Sequence, residues 1–146
     1  MIRIAIAGYG SIGRGVEYSA LQNKDLELVS IFTRRPIPSV EPRTVTPVVH
    51  MDEAALWADK VDVMILCGGS FTDLPVQGPL LARHFNTVDS FDTHPKIPQY
   101  FGDMDAALKA SGKLGIRSRI QLQNRFKSVC KFDMITIFSA ELVVIS

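Results

Sequence analysis

Short apolar runs alternate with amphipathic stretches along the first 116 residues. Ile2 to Ala7 is apolar and largely β-branched apart from Arg3 and stops at Gly8, which predicts a buried parallel strand. Ser11 to Asn23 predicts a helix whose Ile12, Val16 and Leu21 face the sheet. Leu26 to Phe32 reads as a second strand. Four prolines between Pro36 and Pro47 rule out an α-helix there and predict a loop. A short helix is expected from Asp52 through Trp57, and a clean apolar strand from Val61 to Leu66. Thr72 to Phe85 holds the next helix, restricted by Pro75 and by Gly78-Pro79. Thr87-Val88-Asp89 reads as a short strand. Ile97 to Ser111 contains a helix with Met104, Ala107 and Leu108 at helical spacing, ending at Gly112. Leu114-Gly115-Ile116 opens a fifth strand.

Strands that alternate with helices in this way predict an α/β fold with a doubly wound, mostly parallel sheet. Ligands on such sheets bind outside the carboxyl ends of the strands. The loops after Ala7, Phe32, Leu66 and Asp89 all belong to that edge.

The first of these loops is Gly8-Tyr9-Gly10-Ser11-Ile12-Gly13, placed between a strand and a helix. Gly8 suits a tight turn, Gly10 a close backbone approach to a pyrophosphate, and Gly13 close packing of helix on strand. The helix start then offers free N–H groups and a positive dipole end to phosphate. This is the pattern of a Rossmann-type dinucleotide site. A site built for NAD usually carries Asp or Glu about 20 residues further on, to hold the ribose 2′-OH. Here the second strand ends in Thr33-Arg34-Arg35. A hydroxyl and two guanidinium groups suit a 2′-phosphate, since Arg forms bidentate, charge-assisted bonds with phosphate oxygens. The expected cofactor is therefore NADP(H).

Two further loops carry candidate chemistry. Cys67-Gly68-Gly69-Ser70 follows the third strand, and its glycines let the backbone pass close to a cofactor. Cys67 is read as a small buried residue rather than a nucleophile, having no His neighbour in sequence. Asp89-Ser90-Phe91-Asp92-Thr93-His94 follows the fourth strand. Its carboxylates and imidazole suit holding an amino group or moving a proton, and they equally suit turn and cap chemistry.

Composition narrows the class. The 146 residues are 47% hydrophobic and 21% charged, as expected of a globular protein with a core. A net charge of +1 argues against a broad nucleic-acid surface. Cys67 and Cys130 are too few for a disulfide framework, and no metal-ligand spacing occurs. No apolar run approaches the ~18 residues that span a bilayer. The chain runs from Met1 straight into a strand, so no signal peptide, no membrane partner and a cytoplasmic setting are expected.

Taken together, these segments resemble meso-diaminopimelate dehydrogenase, an NADP-dependent enzyme of lysine biosynthesis. The resemblance rests on Ile4 to Arg14, Ile31 to Arg35, Val61 to Ser70 with Thr72-Asp73, and Thr87 to His94 with Ile97-Pro98. It covers about residues 1 to 115 in order. It implies oxidative deamination of the D-centre of meso-diaminopimelate to L-2-amino-6-oxopimelate, with hydride passing to NADP+ and loss of ammonia. It implies that Tyr9, Gly10, Ser11 and Ile12 meet the pyrophosphate and that Thr33, Arg34 and Arg35 hold the 2′-phosphate. The loop Cys67, Gly68, Gly69, Ser70, Phe71 and Thr72, together with Asp92, Thr93 and His94, would border the nicotinamide and the reacting centre. Asp92 would help hold the D-side amino group. Members of the family are homodimers of roughly twice this length.

From residue 117 the pattern departs. The family continues with a Ser-Thr-Gly-Trp-Asp-Pro-Gly-like segment whose Asp meets the substrate; this chain has Arg117-Ser118-Arg119-Ile120-Gln121-Leu122-Gln123-Asn124. A basic stretch leads to Met134 to Ile145, which has strong β propensity and one charge. It reads as one or two extra strands or as a poorly folded end. The expected organisation is a dinucleotide-binding domain over residues 1–116 and a divergent tail over 117–146, with the family's substrate and dimerisation domain missing. A frameshift, a premature stop and a gene fragment all give such a tail. The isolated chain is then expected to bind NADP(H) weakly and to turn over negligibly. Two other readings are a different NADP-dependent reductase or amino-acid dehydrogenase of the same N-terminal fold, and a non-catalytic nucleotide-binding module.

Overall fold

The computed structural model describes residues 1–118 and 142–145, the last four and residues 117–118 as backbone. Among the described residues seven strands form one sheet in the order β3-β2-β1-β4-β5-β6-β7. They are β1 (Ile2–Ala7), β2 (Leu26–Thr33), β3 (Val48–His50), β4 (Val63–Leu66), β5 (Asn86–Asp89), β6 (Gly115–Ser118) and β7 (Leu142–Ile145). Six run parallel. The seventh lies antiparallel on β6, with Ile116 opposite Val144. The sheet is doubly wound outward from β1, which pairs with both β2 and β4.

Strand β1 alternates its side chains between two cores, as the two-residue period of a strand requires. Ala5 and Ala7 join Phe32, Met64, Leu66, Leu74, Leu81, Phe85, Met104 and Leu108 on the face covered by α2 (Leu74–Ala82) and α3 (Ile97–Ser111). Ile6 joins Tyr9, Val16, Ile31 and Val40 on the opposite face, under α1 (Ser11–Gln22). The result is a three-layer α/β domain. Burial on both faces explains why the central strands are continuous apolar runs. Helix α3 ends where Gly112 adopts φ +65°, a left-handed C-cap that closes the last turn. Its Tyr100 stacks on Phe91 with ring centres 4.0 Å apart.

Several sequence expectations need correction. Ile12 and Leu21 do not face the sheet; they are exposed. The buried face of α1 is Gly13, Val16, Glu17, Ser19 and Ala20. At Gly13 the helix lies so close to the preceding loop that a Cβ would come 2.3 Å from the Gly8 carbonyl oxygen. The proline-rich segment contains a 3-10 turn over Ile37–Ser39 and is followed by the short strand β3, neither of them anticipated. The helix expected from Asp52 is a 3-10 helix over Met51–Trp57. Helix α2 continues through Pro79, with Pro75 in its first turn, where a missing N–H costs nothing. Of the apolar tail, β7 is one added strand; residues 119–141 lie outside the described residues.

Candidate functional site

The carboxyl ends of β1, β2 and β4 meet at one edge, and backbone hydrogen bonds hold their loops in register. Gly8 N–H donates to the Phe32 carbonyl at 2.9 Å, and Cys67 N–H donates to the Ala7 carbonyl at 2.8 Å. Gly8 has φ +97°, and a Cβ there would lie 3.1 Å from the Gly68 nitrogen. The glycine loop and the 67–68 loop thus touch through backbone alone. At Gly13 a Cβ would come 2.3 Å from the Gly8 carbonyl oxygen, so the first turn of α1 sits directly on the loop that precedes it.

Gly10, in contrast, faces open space, with nothing within 4 Å of where its Cβ would stand. It is the N-cap of α1, supplies no side-chain cap, and no acidic residue occupies the first turn. The first helical bond runs from Arg14 N–H to the Gly10 carbonyl. The N–H groups of Ser11, Ile12 and Gly13 therefore have no partner within the helix and lie at the positive end of its dipole.

A cleft of about 260 Å³ opens at this edge. Its walls include Gly8, Gly10, Thr33, Arg34, Arg35 and Asp73. Cys67, Gly68 and Gly69 also line it. The glycine loop, the Thr-Arg-Arg segment and the Cys-Gly-Gly loop, spread over 60 residues of sequence, thus share one opening. Thr33 is buried and its hydroxyl accepts from Arg35 N–H at 3.0 Å, which turns the chain so that both arginines emerge exposed. The Arg35 guanidinium donates to the Tyr9 carbonyl, and Arg34 Nη2 donates to Asp73 Oδ1 at 2.5 Å.

Tyr9 enters the site through its backbone only. Its ring is buried under α1, and its hydroxyl donates to Glu17. Glu17, fully buried, also accepts from the N–H and hydroxyl of Thr44 and from Arg43 N–H, at 2.8–2.9 Å. Burial pushes the Glu17 carboxyl up, but these four donors outweigh it and hold it below its ordinary range. Burial first, then the hydrogen bond to Glu17 and its charge, pushes the Tyr9 phenol up to about 12. This network pins the glycine loop to the 43–44 turn. Sequence reasoning missed it, although an acidic residue amid the small residues of a sheet-packed helix was the available signal.

The remaining candidates lie beside the cleft. Asp92 N–H donates to the Ser70 hydroxyl at 3.2 Å, which joins the β5 loop to the β4 loop. The side chains of Asp92 and His94 are exposed, as are Phe71 and Thr72. Lys96 sits over the Phe71 ring at 4.4 Å. Asp89 turns inward: it is buried, accepts from Phe91 N–H at 3.0 Å and faces the Tyr100 hydroxyl, and so has a structural part. Cys67 is buried, which pushes its thiol up to about 12, as suits a packing residue. Among the described residues no cluster of His, Cys, Asp or Glu could hold a metal ion, and no helix is long and apolar enough to cross a membrane.

A glycine loop opening a helix at the carboxyl edge of a doubly wound parallel sheet defines a Rossmann-type α/β domain of the dehydrogenase kind. No family model matches the chain. It is 56% identical over 117 residues to the meso-diaminopimelate D-dehydrogenase of Ureibacillus thermosphaericus, a match covering 80% of this chain and 36% of that one. Among solved structures, a multiply substituted meso-diaminopimelate dehydrogenase from Clostridium tetani E88, crystallised with DAP, is 53% identical with a TM-score of 0.73; the match covers 81% of this chain and 36% of that one. An engineered D-amino acid dehydrogenase bound to NADP+ is 42% identical, also with a TM-score of 0.73, over 80% of this chain and 35% of its own. Over its N-terminal four-fifths the chain is a homologue of the meso-diaminopimelate dehydrogenases. It spans about 36% of the length of the curated relatives it matches.

Proposed function

We propose that residues 1–116 form the NADP(H)-binding domain of a meso-diaminopimelate dehydrogenase and that 117–146 are a divergent tail. The carrying observation is the single cleft that joins an uncapped helix N-terminus to Thr33, Arg34 and Arg35. The donor set fits the cofactor. The free N–H groups of α1 and the open face of Gly10 suit a pyrophosphate. Thr33 Oγ1 and the two guanidinium groups suit a 2′-phosphate, and β2 ends in Thr33 where a site built for NAD carries a carboxylate. Gly68 and Gly69 line the same cleft, where a Cβ at Gly68 would come 2.9 Å from Asp73 Cβ, so the loop lies close on the start of α2.

In this reading NADP+ supplies the hydride acceptor. Gly8, Gly10 and Gly13 shape the phosphate cradle, while Tyr9, Ser11 and Ile12 offer backbone donors. Cys67 to Thr72 border the nicotinamide side, and Thr93 and His94 stand beside them. Asp92, exposed and tied through its N–H to Ser70, offers a carboxylate to the D-side ammonium of meso-diaminopimelate. The match to about 36% of the relatives' length supports cofactor binding more strongly than turnover. The 146-residue chain is expected to bind NADP(H) and to oxidise substrate negligibly by itself.

The test is titration of NADPH and NADH into the purified chain and into Arg34→Ala/Arg35→Ala. Two charge-assisted contacts of about 1.5 kcal/mol each give a loss of about 100-fold in NADPH affinity, with NADH little changed. Failure of the chain to bind either nucleotide overturns the reading. Reduction of NADP+ by meso-diaminopimelate at the rate of full-length relatives overturns the expectation of negligible turnover.

A further inference from the structure

The Arg34–Asp73 ion pair crosses the cleft from the end of β2 to the start of α2. Arg34 Nη2 lies 2.5 Å from Asp73 Oδ1, the Arg34 side chain is 57% exposed and that of Asp73 is 22% exposed. Asp73 is not a loose surface acid. Its Oδ2 accepts from Gly69 N–H at 3.1 Å, and Oδ1 accepts from the Thr72 hydroxyl at 3.0 Å. Partial burial pushes its carboxyl up, but these donors and Arg34 hold it below its ordinary range, so the charge is present at neutral pH. Both partners line the cleft that contains Thr33 and Arg35. A guanidinium already engaged by a fixed carboxylate is shared with any anion that enters.

We propose that Asp73 is a specificity-determining residue that sets how strongly the cleft prefers a 2′-phosphorylated nucleotide, by competing with the 2′-phosphate for Arg34. The inference rests on the NADP(H) reading above. A nucleotide with a plain ribose makes no demand on Arg34 and is indifferent to Asp73. A 2′-phosphate gains the guanidinium only by displacing Asp73 or by lying beside its negative charge. The carboxylate therefore acts as a counterweight that keeps NADP(H) affinity below what two arginines alone would give. It also ties Arg34 to the Gly69–Thr72 loop, since the same carboxylate holds both.

Asp73→Asn keeps the shape and the acceptor for Gly69 while removing the charge. NADPH and NADH are titrated into the wild type, Asp73→Asn, Arg34→Ala and the double variant, with thermal melting of each as a folding control. Removal of one unit charge at contact distance in water is expected to tighten NADPH by about fivefold. NADH affinity is expected to stay constant, and the gain is expected to vanish in the Arg34→Ala background. Should Asp73→Asn melt well below the wild type, Asp73→Ser, a shorter uncharged side chain that keeps a hydroxyl acceptor, replaces it. Unchanged or weaker NADPH binding by a folded Asp73 variant, beside a wild type that prefers NADPH, overturns this inference alone. An equal gain with and without Arg34 also overturns it, because the competition is then not for Arg34. A wild type that binds neither nucleotide overturns the cofactor reading, and this one with it.

Discussion

Three glycines within six residues should respond in three different ways to the same substitution. At Gly13 an added methyl would stand 2.3 Å from the Gly8 carbonyl oxygen and 3.2 Å from Ile6 Cγ2. The first contact is with backbone, so either the glycine loop or the start of α1 has to retreat by about 1 Å. Overpacking of this kind costs up to about 3 kcal/mol, offset by about 1 kcal/mol of helix propensity gained from Gly to Ala. The net loss of about 2 kcal/mol corresponds to a fall in Tm of roughly 8 °C for a domain of this size. Gly15 lies two residues further along the same helix, with nothing within 4 Å of its Cβ position. Gly15→Ala should raise stability by about 0.5–1 kcal/mol. Gly10→Ala has the same open space and an ordinary φ of −97°, so the fold should be unchanged. Its methyl projects into the cleft, and NADPH affinity should fall by about tenfold or more through loss of the close backbone approach. The assay is thermal and urea unfolding of the three variants, followed by NADPH titration. A Gly13→Ala chain as stable as the wild type, or a Gly15→Ala chain as unstable as Gly13→Ala, would refute the steric reasoning.

Other predictions concern charge and reactivity. Tyr9→Phe removes the hydroxyl donated to the buried Glu17 carboxylate and should cost about 1.5–3 kcal/mol of unfolding free energy in urea titrations. Asp62 is held down at about 2, mainly by its hydrogen bonds with Arg3, against an ordinary 3.8. A carboxyl depressed on folding lends stability that is full above its unfolded value and is lost as pH falls through the folded one. Asp62→Asn should therefore flatten the acid limb between about pH 4 and 2 in a plot of Tm against pH. Cys67, buried with its thiol raised to about 12, should resist iodoacetamide at pH 8 and react only after denaturation, as read by mass spectrometry of the Cys67 peptide.

The parallel strands were legible because burial on both faces makes each a continuous apolar run, as in Ile4 to Ala7 and Met64 to Leu66. The glycine loop and Thr33-Arg34-Arg35 were legible because their spacing has a steric and electrostatic cause. Helix α1 was misread because apolarity alone picks Ile12 and Leu21, whereas the buried face carries Gly13, required by close packing, with Ser19, Ala20 and the hydrogen-bonded Glu17. Strand β3 has three residues directly after a proline-rich loop, too short a run to announce itself. Two of the partners of Glu17 lie 26 and 27 residues away and that of Arg34 lies 39 away, so only the fold brings them together. Asp73 was visible as a residue of a matching segment, but its place opposite Arg34 was not.

The central position of β1 also governs the order in which the domain can assemble. Synthesis delivers this strand first, yet its two neighbours end only at Thr33 and Leu66. Until the second of them has been made, this buried strand has an unpaired edge. The β1-α1-β2 unit closes over a short loop and so carries the lowest entropy cost of nucleation. β4 then seals the other edge, and β5 and β6 add outward in chain order. Each new strand thus finds its template already built, and the nascent edge moves away from the cleft rather than across it. Refolding should accordingly be slowed most by substitutions at the β1–β2 and β1–β4 seams and least by those at β6.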